Sequence, residues 1–193
     1  MCYLTYGGII MPPKVKYSKE EIVGVAYELI RKEGSSALTA RHLAAALGTS
    51  TAPIFTAFES IEALNDAVLA RAKACYDEYL TKGLAHPIPF KGAGLAHIRF
   101  AKDEPLLFRY LFMECKGEAP VLHYLPGNGE NEKRVRSVVE SYGYETESAK
   151  RLYNHLAVYV HGLAILYALE QTVFDDGDID GMLSEVFHAL KEK

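Results

Sequence analysis

Apolar side chains recur every three to four residues along almost the whole chain, and the alternation of a half-buried strand is nearly absent. The pattern predicts an all-α protein of about nine helices. Ser18 followed by Glu21 is a capping box that opens a first helix with Ile22, Val25, Ala26, Leu29 and Ile30 on one face. Gly34 supplies the position after it, where a left-handed turn is cheap for glycine. Thr39 caps a second, Ala-rich helix carrying Leu43 and Leu47, which stops at Gly48. Ser50 caps a third, with Ile54 and Phe58 facing inward and Pro53 in the first turn, where a missing N–H costs little. Ser60 caps a longer fourth helix through Leu64, Val68 and Ala72 towards Tyr79.

Past the linker His86-Pro87-Ile88-Pro89 the spacing predicts helices near 91–102 and 105–114. A Gly/Pro-rich loop with one turn at 119–125 follows, then a helix over about 131–142. The longest helix runs over about 147–173, capped by Thr146, with Leu152, Leu156, Val160, Leu163, Tyr167 and Val173 on its stripe. Asp175-Asp176-Gly177 breaks it, and Asp178 or Asp180 starts a last helix with Ile179, Leu183, Val186, Phe187 and Leu190. The organisation expected is an N-terminal arm (1–17), a three-helix unit (18–60) and a helical body (61–193).

Composition adds constraints. The apolar share of 49% and charged share of 24% are those of a globular chain able to build a core rather than a disordered one. No apolar run reaches the roughly 18 residues of a membrane span, and the start lacks the basic n-region of a signal peptide. Met11-Pro12-Pro13-Lys14 reads as a second natural start, which makes residues 1–10 an upstream extension or a minor arm. Cys2, Cys75 and Cys115 are far apart and never in a C-x-x-C pair, the usage of reduced thiols in the cytoplasm. Of the net charge of −4, residues 1–60 contribute +1 (six Lys/Arg against five Glu) and the remainder −5. A head less acidic than its body fits presentation of one end to phosphates.

The functional signal is concentrated in residues 39–58, TARHLAAALGTSTAPIFTAF. Two short helices joined at Gly48-Thr49 meet the requirement of a helix-turn-helix, a tight turn that projects the second helix into a major groove. Ala44 and Ala45 are small, as a close helix crossing needs. Thr49, Ser50, Thr51 and Ala52 are short enough to let backbone amides approach a phosphate, and Thr39 opens the other helix in the same way. Residues 18–68 resemble the N-terminal domain of the TetR family: a first helix ending in Gly34, then T-x-R-x-L-A-x-x-L-G-x-S, an aromatic-bearing recognition helix ending in Phe58, and a long fourth helix with Leu64. GAGLAHIRFAKDEPLLFRYLFM (92–113) and Val160-His161-Gly162-Leu163-Ala164 resemble, less specifically, segments of one TetR subgroup.

The resemblance implies a homodimer that represses transcription at a palindromic double-stranded operator and is released when a small-molecule effector fills a pocket in the body. Thr39, Arg41, Thr49, Ser50, Thr51, Ala52, Phe55 and Thr56 are then the expected DNA contacts. Two departures stand out, Phe55 where the family usually has Tyr, and Ser60-Ile61 where it usually has Lys; both remove a backbone contact. Arg41, Lys14, Lys16 and Lys19 are the available compensation. For the body, the aromatics and histidines His97, Phe100, Phe108, Phe112, His155 and Tyr159 are candidate pocket residues for a flat or hydrophobic ligand, with ordinary core packing as the competing reading of any such stripe. No cofactor or metal is expected: His155 and His161 are six apart, and the Asp175–Asp180 acids lack EF-hand spacing and read as helix-capping residues. No nucleophile elbow, H-E-x-x-H or P-loop occurs, so an enzyme is not expected. The alternative is a DNA-binding dimer without a small-molecule effector, controlled by or acting on a protein partner, which a fully filled body would favour.

Overall fold

The computed structural model describes residues 17–114, 136, 143–172 and 174–191. Among these it is wholly helical, with eight α-helices and one 3₁₀ turn. The helices are α1 (Lys19–Glu33), α2 (Ala40–Ala46), α3 (Ala52–Ala57), α4 (Ile61–Leu84), α5 (Pro89–Asp103), α6 (Pro105–Phe112), α7 (Thr146–Ala168) and α8 (Asp176–Lys191). The expected turn at 119–125 and, Arg136 apart, the expected helix at 131–142 lie outside the described residues, as do Lys14, Lys16, Cys2 and Cys115.

Local signals set most boundaries. The Ser18 hydroxyl accepts from the Glu21 amide while the Glu21 carboxylate accepts from the Ser18 amide, a reciprocal box at the start of α1. Thr39 accepts from the His42 amide at the start of α2, and Ser60 from the Ala63 amide at the start of α4. Asp175 and Asp178 exchange side-chain-to-amide bonds at the head of α8, so the acids of that loop cap a helix.

Five details differ from the pattern. Thr146 is the first residue of α7 and not its cap; Glu145 holds the N-cap position and makes no side-chain capping bond. Gly34 has φ 87° and ψ 173°, not the left-handed helical cap but an extended positive-φ region that essentially only glycine occupies. The N-cap of α3 is Thr51 rather than Ser50, and it makes no side-chain capping bond. Helix α7 ends at Ala168, short of 173, because the chain turns at Glu170 with φ 55° and the Gln171 amide bonds back to the Leu166 carbonyl. Helix α8 begins at Asp176, two residues before the earlier of the two starts expected.

One continuous core joins the two ends of the molecule. Ile22, Ala26 and Ile30 of α1, Leu43 of α2 and Ile54 of α3 are buried against Leu64 and Val68 of α4. The same cluster continues along α4 to Leu80 and into α5, α6, α7 and α8 at Phe100, Phe108, Leu163 and Leu183. A smaller cluster of Ala149, Leu152, Tyr153 and Leu156 packs with Phe90 and Phe187 at the far end of the body. Helices α4 and α5 cross so closely at Gly83 and Gly92 that a Cβ on either would collide with the other's carbonyl.

Candidate nucleic-acid interface

The six-residue α3 is divided cleanly. Ile54 points into the core and Phe58, its C-cap, is buried beneath it, while Ala52, Phe55 and Thr56 stand on the opposite, exposed face. Gly48 adopts φ 63°, and the Thr49 amide bonds back to the Ala44 carbonyl at 2.9 Å, which fixes the turn between α2 and α3. Tyr17 donates its hydroxyl to the Leu47 carbonyl, tying the chain before α1 to the end of α2. The Lys19 ammonium lies 5.4 Å from the centre of the Phe58 ring, joining the start of α1 to the end of α3.

The residues expected at the DNA are exposed or half-buried, and none is in the core. Arg41, Ser50, Ala52, Phe55 and Thr56 are exposed, as is Thr39, and Thr49 and Thr51 are half-buried. Phe55 is 50% exposed, a large apolar ring with no covering from the described chain. The hydroxyls differ in what they can offer. Thr56 donates its proton to the Ala52 carbonyl at 2.9 Å, which leaves it lone pairs and a methyl group for a partner. Thr51 makes no capping bond, and the Thr39 oxygen, already an acceptor, retains its proton.

The body carries two features that bear on function. The first is a cavity of about 300 Å³ between α4, α5, α7 and α8, with an almost entirely apolar wall that includes Leu80, Leu84, Phe90, Tyr153, Leu156, Val160, Leu183 and Phe187. Of the six candidate pocket residues only His97 lines it. Phe100, Phe108 and Phe112 are buried in the core beside it, where edge-to-face and tilted ring contacts with Tyr76, His97 and one another fill the space. His155 is exposed on α7, and Tyr159 is half-buried and packed on the main core. Phe90, Tyr153 and Phe187 come from three helices far apart in sequence, and only the crossing of those helices brings their rings to one wall. Periodicity does not tell an inward face that meets atoms from one that meets a void.

His97 has no exposed surface. Its Nδ1 lies 3.0 Å from the Tyr76 hydroxyl and its Nε2 lies 3.2 Å from Nδ1 of His161. Two ring nitrogens facing each other share one proton. With the Tyr76 hydroxyl donating to Nδ1, that proton sits on Nε2 of His97, and His161 accepts. Burial holds His161 below the ordinary histidine pKa. The chain of contacts runs from α4 through α5 to α7.

The second feature links the body to the interface. Arg31 on α1 forks onto Glu104 at the α5–α6 corner, through Nε at 2.7 Å and Nη2 at 2.5 Å. Glu104 is only 8% exposed, and its carboxylate, by hydrogen bond and charge, raises the Arg31 pKa further. Ser35 donates to Glu114, which also pairs with Arg109 at 3.0 Å, and Tyr110 on α6 donates to Asn65 on α4. On the outer face of α7, Val158 is 65% exposed, and Gly162 and Leu169 are exposed along the same helix.

A short helix held by a glycine turn on a three-helix framework, with its polar and aromatic face bare, defines a helix-turn-helix DNA-binding protein. Residues 22–68 match the model for bacterial regulatory proteins of the tetR family. That match, over less than half of the chain, indicates a DNA-binding transcriptional regulator. No curated protein matches it. Among the described residues no helix is long and apolar enough to cross a membrane.

Proposed function

We propose that this regulator is a cytoplasmic homodimeric repressor, released from a palindromic operator when a small molecule occupies the body. The observation that carries the reading is the bare face of α3, with Ala52, Phe55 and Thr56 exposed on a helix whose other side is anchored by Ile54. On this reading Thr51, Ala52 and Thr56 meet base edges, Phe55 meets thymine methyls or sugar, and Thr39, Arg41, Thr49 and Ser50 meet phosphates. Residues 18–60 act as the DNA-binding unit and 61–193 as the effector and dimerisation unit. The exposed stripe of Val158 and Gly162 on α7 and Leu169 at its C-cap supports pairing with a second copy, Gly162 having no described side chain or backbone close to it. Such a pair would set two α3 helices roughly 34–36 Å apart, one helical turn of DNA.

The cavity supports a small-molecule effector over control by a protein partner alone, because the described residues leave the body unfilled. Helix α4 begins at Ser60, directly after α3, and carries Leu80 and Leu84 on the cavity wall. An occupant that fits one tilt of α4 better than another would shift the population towards the state that cannot span two grooves. Selection of bound sequences from random duplex DNA tests the reading: a palindrome should emerge. A pool with no enriched sequence would sink it.

A further inference from the structure

The effector reading leaves the chemistry of the ligand open, and the charge balance at the cavity narrows it. Among the described residues that line the cavity, Lys91 is the one with a permanent charge, His97 and His188 are imidazoles, and none is a carboxylate. That charge is already engaged. The Lys91 ammonium lies 2.6 Å from the Asp180 carboxylate and donates to the Ser184 hydroxyl at 3.0 Å, and the Ser184 hydroxyl in turn donates to the Asp180 carbonyl. His97, at the inner end, has both ring nitrogens in hydrogen bonds to Tyr76 and His161. An anionic ligand would have to take Lys91 from Asp180, exchanging one carboxylate contact for another while losing its own hydration. A cationic ligand would find no carboxylate on the wall. Burying an unpaired charge among such side chains costs more than the contacts return, whereas an apolar molecule gains from every wall atom it covers.

We infer that the cavity between α4, α5, α7 and α8 takes an uncharged hydrophobic small molecule, with the rings of Phe90, Tyr153 and Phe187 forming its aromatic side. This rests on the proposal that the body binds an effector, but not on the operator or on release from it. Selection against charge comes from the Lys91–Asp180 pair, which keeps the one permanent cation among the described wall residues neutralised.

A matched pair of fluorescent probes tests this on the full chain without DNA: N-phenyl-1-naphthylamine, which is uncharged, and 1-anilinonaphthalene-8-sulfonate, which has the same ring skeleton with an anionic group. The uncharged probe should saturate at one per chain with a blue-shifted emission, and the sulfonate should bind about tenfold more weakly or worse. Decanol should displace the uncharged probe, and decanoate should not. Ala157→Phe, which places a ring into the cavity from α7, should weaken the uncharged probe about tenfold, with circular dichroism confirming a helical chain. Asp180→Asn changes a half-exposed side chain and frees Lys91. It should raise sulfonate affinity several-fold, roughly what a released charge partner supplies, and leave the uncharged probe unchanged.

Equal or tighter binding of the sulfonate to the wild-type chain would overturn the inference. So would an uncharged probe that ignores Ala157→Phe in a folded variant, or sulfonate binding that ignores Asp180→Asn. A probe that obeys all three and yet leaves operator binding untouched upholds the ligand class and overturns release by effector. The two readings therefore fail on different measurements.

Discussion

At the scale of single residues, the recognition helix separates side chains that share a residue type. Thr56 spends its hydroxyl proton on Ala52, whereas Thr51 makes no capping bond. Thr51→Val should therefore weaken operator binding by ~1–3 kcal/mol, the value of a good base contact, while Thr56→Val, which keeps the methyl group, should cost less. Gel-shift titrations on a selected operator and on a scrambled duplex measure both, and only the specific complex should respond. Arg41→Ala should instead lower affinity for both duplexes and reduce the salt slope by about one. Deeper in the molecule, burial lowers the pKa of His161, so the folded chain favours its neutral form. The unfolded chain takes up that proton first as the pH drops. The stability this histidine confers is thus complete above its ordinary value of 6.5 and is lost as the pH falls through the lower folded value. The urea midpoint should fall between about pH 7.5 and about pH 5.5, and His161→Asn, which keeps an acceptor near His97 but does not titrate, should flatten that fall.

At the scale of elements, α4 and the Arg31–Glu104 pair together determine how far the DNA-binding end can move against the body. The core is continuous along α4, from Leu64 beneath α1 to Leu80 at the cavity, so the two ends are not joined by a free linker. Arg31 ties α1 to the α5–α6 corner through a carboxylate that is nearly buried. Removing the guanidinium with Arg31→Ala leaves Glu104 buried without its fork, and should lower stability by about 2 kcal/mol in a urea melt. Glu104→Gln with Arg31 intact should cost less, because a neutral amide is easier to bury and still accepts one hydrogen bond. If the two variants prove equally stable, the pair is not a structural tie between α1 and α6.

At the scale of the whole molecule, the proposed function requires two copies acting together. The apolar outer stripe of α7 has no cover within the described chain. Light scattering should report a dimer, and the double substitution Val158→Glu, Leu169→Glu should produce a helical monomer, since charges facing across a paired helix stripe are strongly disfavoured. Operator affinity should collapse with the dimer, because each copy then binds one half-site alone. A dimer that survives both charges would move the interface elsewhere.

Much of this protein could be read from the chain itself, because the determinants are local. Helix class, the capping box at Ser18, the caps at Thr39 and Ser60, the turn at Gly48 and the exposed face of α3 follow from spacing and from what each residue can do for the backbone beside it. The bounds that shifted, Thr51 for Ser50 and Ala168 for Val173, are decided by a single turn of backbone hydrogen bonding, which composition does not resolve. The cavity is different in kind. Phe100, Phe108 and Phe112 are packed in the core, whereas Phe90, Tyr153 and Phe187 line the cavity. Which inward face meets atoms and which meets a void depends on how four helices cross, set in part by the backbone contact at Gly83 and Gly92. The same holds for Arg31 and Glu104, 73 residues apart. Their pairing is a property of the assembled fold, because only packing brings a distant charge to a buried one.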